Sequence, residues 1–259
     1  MRFISRTSSD GVVEQQFLLG EIPGVLWTPE GAAGARPLIL MGHGGGQHKK
    51  APGIVARARR FVTEGGVAVV AVDAPNHGDR PKTEEFARVA AGLRAGMAAG
   101  EDVAPHLATM HTFLAGPAVP EWQAVVTAVQ ELDVVGAGPV GYFGMSMGCG
   151  LGVPFVAAEP RVRAAVLGLL GVDGLTEAAA RVTVPVRFLL QWDDDRVPRD
   201  RGLALFDALG SADKTLHANP GNHGETPESE TDSSLRFFVR HLGQGRRVRG
   251  TRGTSPDTP

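Results

Sequence analysis

The chain has 259 residues, of which 42% are hydrophobic and 21% are charged, and its formal net charge is −2. These values are typical of a globular protein with one large α/β domain, and they provide no basic field that would attract nucleic acid or an anionic membrane. The single cysteine, Cys149, excludes an intramolecular disulfide. The N-terminus shows no signal peptide and no apolar run reaches the roughly 20 residues of a membrane span, so we expect a cytoplasmic protein.

Short apolar runs alternate with segments of helical spacing along the chain. Two strands, VVEQQFLLG and IPGVLWTP, come first and should form an antiparallel pair. The later strands should be PLILM, VAVVAV, PVGYFG, VRAAVLGLLG, PVRFLLQ and TLHAN, with helices over 52–65, 123–132, 175–182, 199–209 and 233–242 and one more directly after PVGYFGMS. Strands that alternate with helices favour an α/β fold with a mostly parallel sheet and helices on both faces.

Two segments depart from this alternation. Residues 81–120, called the lid segment below, are alanine-rich and indicate two short helices. An insertion of this length is uncommon unless it is functional, so we predict that it forms a helical lid over a site. Residues 244–259 contain four arginines, three glycines and two prolines and have almost nothing to bury, which indicates a disordered tail. Residues 1–243 should therefore form a single domain.

The segment GMSMG, residues 144–148, lies where a predicted strand meets a predicted helix. A sharp turn there strains the backbone of Ser146 and lifts its hydroxyl above the sheet, while Gly144 and Gly148 avoid clashes beside it. The next backbone N–H, that of Met147, lies at a helix N-terminus, where negative charge is stabilised. This arrangement predicts a nucleophilic serine.

A serine hydroxyl needs a base, and the base needs an orienting carboxylate. His223, in the loop after the last strand, is the best base in the sequence, although a solvated loop histidine is the alternative. The segment QWDDD offers three carboxylates, those of Asp193, Asp194 and Asp195. The chain order Ser, Asp, His is the order expected for a nucleophile elbow on an α/β sheet.

The segment HGGG, residues 43–46, follows the buried strand PLILM. Glycine lets the backbone approach a substrate oxygen closely, so the N–H groups of Gly44 and Gly45 can form an oxyanion hole together with that of Met147. A flexible turn is the alternative, and the sequence does not decide which glycine donates.

With these motifs the chain resembles the α/β-hydrolase superfamily over roughly residues 37–243, and within it the dienelactone-hydrolase-like esterases and their acyl-peptidase relatives. The family pattern Asp-x-x-Val-Pro implies that Asp194 is the triad acid, with Asp193 as the fallback, and that His223 is the base. The related pattern DAPNHGDR, residues 73–80, implies a structural role for His77 beside the pocket. Many relatives have glycine where this chain has Cys149, which we expect to be a small buried side chain and not a nucleophile.

The resemblance implies a serine hydrolase that cleaves a small-molecule carboxylic ester through an acyl-enzyme, without a cofactor. Thioester, peptide or C–C bond cleavage, perhydrolysis, and a catalytically inactive binding protein are the alternatives. The apolar side chains of the lid segment leave two interpretations equally open, a hydrophobic substrate pocket or simple docking on the core; they are Leu93, Met97, Leu107, Met110, Phe113 and Leu114.

A metal site is not expected, because the chain has no His-Glu-x-x-His motif or cysteine pair, and His106 and His111 are five residues apart. The arginines of the tail are expected to be solvated, and we predict no nucleic-acid or membrane partner. The sequence leaves the substrate and the oligomeric state open.

Overall fold

The computed structural model describes residues 1–243, and the predicted disordered tail over 244–259 lies outside the described residues. The strands are β1 (Arg2–Ser9), β2 (Val12–Leu19), β3 (Ile22–Pro29), β4 (Leu38–Gly42), β5 (Ala68–Val72), β6 (Val140–Met145), β7 (Val162–Gly168), β8 (Val186–Gln191) and β9 (Lys214–Asn219). The helices are α1 (Pro52–Gly65), α2 (Glu84–Ala99), α3 (Ala104–Gln130), α4 (Met147–Ala158), α5 (Thr176–Ala180), α6 (Arg199–Ala208) and α7 (Ser229–Leu242).

The strands form one nine-stranded sheet in the order β1-β2-β3-β5-β4-β6-β7-β8-β9. Six of them, from β5 to β9 across the sheet, are parallel, and β1, β2 and β3 extend the sheet as an antiparallel meander. The predicted mostly parallel α/β sheet is confirmed, and so is the antiparallel pair. The sequence analysis missed β1, whose eight residues are all exposed, because a polar edge strand has no apolar pattern and is held by its ladder with β2.

Alternate side chains of the central strands enter two separate cores, as the two-residue period of a strand requires. On one face Ile39 and Met41 belong to a cluster with residues of α1 and α7, including Phe61 and Phe238. On the other face the neighbours of Ile39 in β4, Leu38 and Leu40, belong to a cluster with residues of α3 and α4. Helices on both faces therefore bury the central strands, which is why those strands are almost continuously apolar.

Between β5 and β6 the structure differs from the prediction. We expected a break between the second helix of the lid segment and a helix over 123–132, but α3 runs without interruption from Ala104 to Gln130 and contains Pro117 and Pro120. Each internal proline removes a helix hydrogen bond at a cost of about 3 kcal/mol. The buried face of α3, with Leu114, Trp122 and Val126 among its members, offsets that cost, which local sequence cannot show.

The carboxyl ends of the parallel strands lie at one edge of the sheet, where ligands bind in folds of this class. The loops after β4, β5, β8 and β9 and the turn from β6 into the start of α4 lie at this edge and carry every predicted site residue, and we call them the floor. Among the described residues no helix combines the length and the apolar character needed to cross a membrane.

Candidate active site

Ser146 lies between the end of β6 and the start of α4 and has φ 54° and ψ −125°. This is a strained conformation for a residue with a side chain, at a cost of about 1–3 kcal/mol. The turn is packed so closely that a Cβ on Gly144 would lie 2.4 Å from the carbonyl oxygen of Gly148, and one on Gly148 would lie 2.6 Å from that of Gly42. The two glycines are therefore required by the close approach of β4, β6 and α4.

His223 lies within hydrogen-bond distance of both other triad candidates. Its Nε2 is 3.0 Å from the hydroxyl oxygen of Ser146, and its Nδ1 is 2.8 Å and 3.1 Å from the two carboxylate oxygens of Asp194. The side chains of His223 and Asp194 are only 9% and 3% exposed. Seventy-seven residues separate Ser146 from His223, so the fold alone brings the three groups together.

The three consecutive aspartates have three different environments. Asp194 also accepts hydrogen bonds from the backbone N–H groups of Arg196 and Val197, at 2.8 Å and 2.9 Å, which hold its carboxylate toward His223. Asp195 accepts the backbone N–H of His223 at 3.1 Å, and this hydrogen bond lowers the pKa of Asp195. Asp193, the fallback acid, is 62% exposed, and the N–H of Gly221 contacts its carboxylate at 3.4 Å.

The HGGG loop is held by a buried histidine. His43 is 2% exposed, and its Nε2 accepts the backbone N–H of Ala74 at 3.0 Å, while its Nδ1 lies 2.9 Å from the carbonyl oxygen of Gly44. These contacts fit a neutral ring protonated at Nδ1. Burial lowers the pKa of His43 to about 4, so the ring stays neutral near pH 7.

The glycines of this loop differ in their surroundings. The N–H of Gly44 donates to the side-chain oxygen of Gln47 at 3.4 Å, a long contact. Gly45 lines the cavity above Ser146, as does Met147, whose side chain lies next to it. As the first residue of α4, Met147 has an N–H without an acceptor inside its own helix.

A buried ion pair fastens the loop after β5, which the sequence analysis did not foresee. Asp73 is fully buried and accepts hydrogen bonds from the ammonium of Lys49 at 2.7 Å and from the backbone N–H groups of Lys49 and Asp79. Gly78, at φ 57°, passes so close that a Cβ would meet the Asp73 carboxylate. The sequence indicates this ion pair only through Lys49, which follows HGGG closely. Because a lysine is rarely buried, the sequence analysis assigned it no partner.

His77 lies in the same loop and borders the cavity. Its Nδ1 is 2.9 Å from the carbonyl oxygen of Pro75, and its ring packs edge-on against Phe86 of α2. Cys149 is fully buried, and burial raises the pKa of its thiol to about 12, which leaves it protonated. These surroundings give neither His77 nor Cys149 a direct role at the Ser146 hydroxyl.

A cavity of about 580 Å³ lies between the floor and the lid segment. Ser146, Met147, Gly45 and His223 line one side of it. The opposite wall is mainly apolar and comes from the lid segment, with Phe86, Leu93, Met97, Leu107, Met110 and Leu114. Within residues 1–243 no group of three or more His, Cys, Asp or Glu side chains has an arrangement that could hold a metal ion.

Comparison with solved structures places the chain in a family. A cold-adapted esterase from an Arctic intertidal metagenomic library matches 93% of this chain and 100% of its own, with 33% sequence identity and a TM-score of 0.75. The chain belongs to the α/β-hydrolase superfamily. The resemblance inferred from the motifs is thereby confirmed, and the protein is an enzyme, a hydrolase related to esterases.

Two more distant α/β-hydrolase neighbours share the fold. The dienelactone hydrolase of Anabaena variabilis has 22% identity and a TM-score of 0.58 over 88% of this chain and 99% of its own. An acetyl xylan esterase from Paenibacillus sp. R4 has 14% identity and a TM-score of 0.65 over 93% of this chain and 88% of its own. Neither a family model nor a curated protein matches the sequence of this hydrolase.

Proposed function

We propose that this α/β-hydrolase cleaves small-molecule carboxylic esters through an acyl-enzyme, with Ser146 as nucleophile, His223 as general base and acid, and Asp194 as the orienting carboxylate. The observation that carries the proposal is the unbroken chain of contacts from Asp194 through His223 to Ser146, at 2.8 Å and 3.0 Å, beneath an open cavity. The similar esterase from the Arctic library supports ester hydrolysis as the reaction.

In the first half of the reaction, His223 Nε2 takes the proton of the Ser146 hydroxyl while the oxygen forms a bond to the ester carbonyl carbon. The carbonyl oxygen becomes an oxyanion, which accepts hydrogen bonds from the N–H of Met147 and from the HGGG loop. Of the two glycines predicted there, Gly45 is favoured because it lines the cavity, whereas the N–H of Gly44 contacts Gln47. Each such donor is worth about 3–4 kcal/mol in the transition state.

The tetrahedral intermediate collapses when the bond to the alcohol oxygen breaks and His223 returns its proton to the leaving alcohol. In the second half, His223 takes a proton from water, whose oxygen forms a bond to the acyl carbon. The bond from Ser146 to that carbon then breaks, the serine recovers its proton, and the carboxylic acid leaves. Asp194 stabilises the imidazolium that forms in each half without accepting the proton itself.

We also propose that the lid segment forms the substrate-covering part of the single domain. It contributes the apolar wall of the cavity opposite Ser146, which favours the substrate-pocket interpretation of its apolar side chains. Apolar walls of this kind accommodate the hydrocarbon part of an acyl or alcohol group.

The proposal is tested by labelling the protein with a fluorophosphonate and measuring the intact mass, followed by peptide mapping and by assays of p-nitrophenyl acetate hydrolysis. We expect one adduct on Ser146 and measurable turnover, both absent in Ser146→Ala and both strongly reduced in His223→Ala. Ser8→Ala, in the exposed strand β1, is the matched control and should behave like the unmodified chain. Labelling at another residue, or turnover that survives in Ser146→Ala, would overturn the proposal.

A further inference from the structure

One polar side chain in the substrate cavity has no assigned task. His111, in α3, is 6% exposed and makes no side-chain hydrogen bond to any of residues 1–243. Its ring lies against Gly150 of α4, where a Cβ would come within 2.8 Å of the imidazole. Because its ring nitrogens face the cavity and are not sealed from solvent, they are free to hydrogen-bond to a ligand there.

The position of His111 places it close to the reaction centre. The N–H of Gly150 donates to the carbonyl oxygen of Ser146 at 3.0 Å, so the two residues are one helical turn apart. One turn of helix is about 5.4 Å long. The imidazole that rests on Gly150 is therefore within reach of a substituent a few bonds from an ester carbonyl held at Ser146.

His111 also lies where the main cavity meets a second one. It lines both the cavity of about 580 Å³ above Ser146 and an adjoining cavity of about 200 Å³. Glu101 and Arg196 line both cavities, and the second cavity is also lined by Asp102, Asp173 and Arg201. His111 thus lies where the cavity above Ser146 adjoins one that has more charged side chains in its lining.

The charges around His111 favour an uncharged ligand group. Burial lowers the pKa of His111 to about 4, against a weaker opposing effect of Asp173, so the ring is neutral near pH 7. Arg201 already pairs with Asp173 at 2.8 Å and with Asp102 at 2.9 Å. Arg196 and Glu101 line both cavities, but both side chains are exposed, so water screens their charges. A neutral imidazole offers one donor and one acceptor, which is what a hydroxyl group complements.

We propose that His111 is a specificity-determining residue that hydrogen-bonds to a hydroxyl group on the substrate, so that the preferred substrates are esters whose apolar acyl or alcohol part carries an uncharged hydroxyl a few bonds from the reacting carbonyl. The inference rests on the proposed function of the Ser146 site and names its substrate class. A site built to bind a hydroxyl discriminates against the analogue that lacks it, because its own polar group then stays unpaired.

The test compares two matched series of esters. One is p-nitrophenyl octanoate with and without a hydroxyl at successive chain positions; the other is alkyl acetates with and without a hydroxyl on the alcohol. In at least one series we expect the kcat/KM of one hydroxylated ester to exceed that of its plain analogue by about tenfold, the equivalent of one buried hydrogen bond. His111→Phe should abolish this ratio, His111→Gln should retain part of it, and Gly150→Ala, which displaces the ring, should reduce it.

His106→Phe is the matched control, because His106 lies on the same helix but its ring contacts Gly96 and lines neither cavity. It should leave the ratio unchanged. An equal ratio in the unmodified chain and in His111→Phe, or a stronger preference for an analogue with a carboxylate in place of the hydroxyl, would overturn the inference. Hydrolysis of p-nitrophenyl acetate, which carries no hydroxyl, separates the two proposals: if the unmodified chain does not hydrolyse it or any other ester, the proposed function itself fails.

Discussion

The floor and helix α2 of the lid segment line the same cavity but are held in opposite ways. Helix α4, which begins directly after Ser146, buries nine of its twelve residues, and glycines let it approach the strands at backbone distance. Helix α2 of the lid segment buries one of its sixteen residues, Gly96, and leaves Met97 63% exposed. The groups proposed to react are thus part of the packed core. Much of the cavity wall that would contact the substrate, in contrast, only packs against the surface of that core.

This difference has a physical reason. Proton transfer between Ser146 and His223 requires a geometry held to a fraction of an ångström, which only a densely packed scaffold provides. Recognition of an acyl or alcohol group tolerates looser packing, since each methylene contributes only about 0.8 kcal/mol. We therefore expect substitutions in the floor to have large effects on rate and stability, and substitutions in α2 of the lid segment to change mainly the choice of substrate.

The largest effect should come from the acid of the proposed triad. Asp194→Asn keeps the size of the side chain but reverses the hydrogen bond to His223 and favours the wrong tautomer, so kcat should fall by about 10⁴. Asp193→Asn is the matched control, and steady-state kinetics on p-nitrophenyl acetate should place it within a few-fold of the unmodified chain. The opposite ranking of the two variants would show that the fallback acid is the correct one.

The buried ion pair of the floor should dominate stability. Lys49→Met leaves the Asp73 carboxylate buried without its cation, so the free energy of unfolding should decrease by about 3–5 kcal/mol in urea titrations. Lys50→Met removes a partly exposed pair with Glu14 and should cost less than about 1 kcal/mol. Equal losses in the two variants would mean that the Lys49 pair does not hold the floor.

Acid should weaken the floor through His43. Its pKa is about 4 in the folded protein, against 6.5 for an unperturbed histidine of the unfolded chain, so only the unfolded state binds this proton between those values. Stability is therefore complete above about pH 6.5 and decreases as the pH falls toward 4. Between pH 7 and pH 4.5 the loss should be about 2–3 kcal/mol smaller in His43→Gln than in the unmodified chain, as measured by urea titration at the two pH values. An identical pH dependence would exclude a buried neutral His43.

The smallest effect on stability should come from the lid segment. Leu93 is half-buried and lines the cavity, so Leu93→Ala should cost about 1 kcal/mol or less, whereas Leu167→Ala, at a fully buried position of β7, should cost about 2–5 kcal/mol. The same substitution should lower kcat/KM for long-chain p-nitrophenyl esters by a few-fold relative to kcat/KM for p-nitrophenyl acetate. A uniform loss over all chain lengths would argue that Leu93 only docks the lid segment.

Local sequence was sufficient for most of the floor. The strand runs and the residues after them predicted the sheet. The segment GMSMG, the loop after the last strand and the family pattern Asp-x-x-Val-Pro identified Ser146, His223 and Asp194, and the structure places His223 2.8 Å from Asp194 and 3.0 Å from Ser146. Helix α1 has the bounds that its pattern predicts. Such motifs are readable because each depends on a strand, a turn and the few residues that the turn admits.

The sequence by itself determined the order of strands from β2 to β9, their alternation with most of the helices, the elbow at Ser146 and the residue types that could react, since these follow from local periodicity and turn geometry. Only the tertiary structure decided that α3 continues through two prolines, that Lys49 is buried against Asp73, and that His111 rests on Gly150 beside the cavity. The reason is that each of these depends on contacts between segments far apart in the chain, where the burial of a side chain outweighs its local preference.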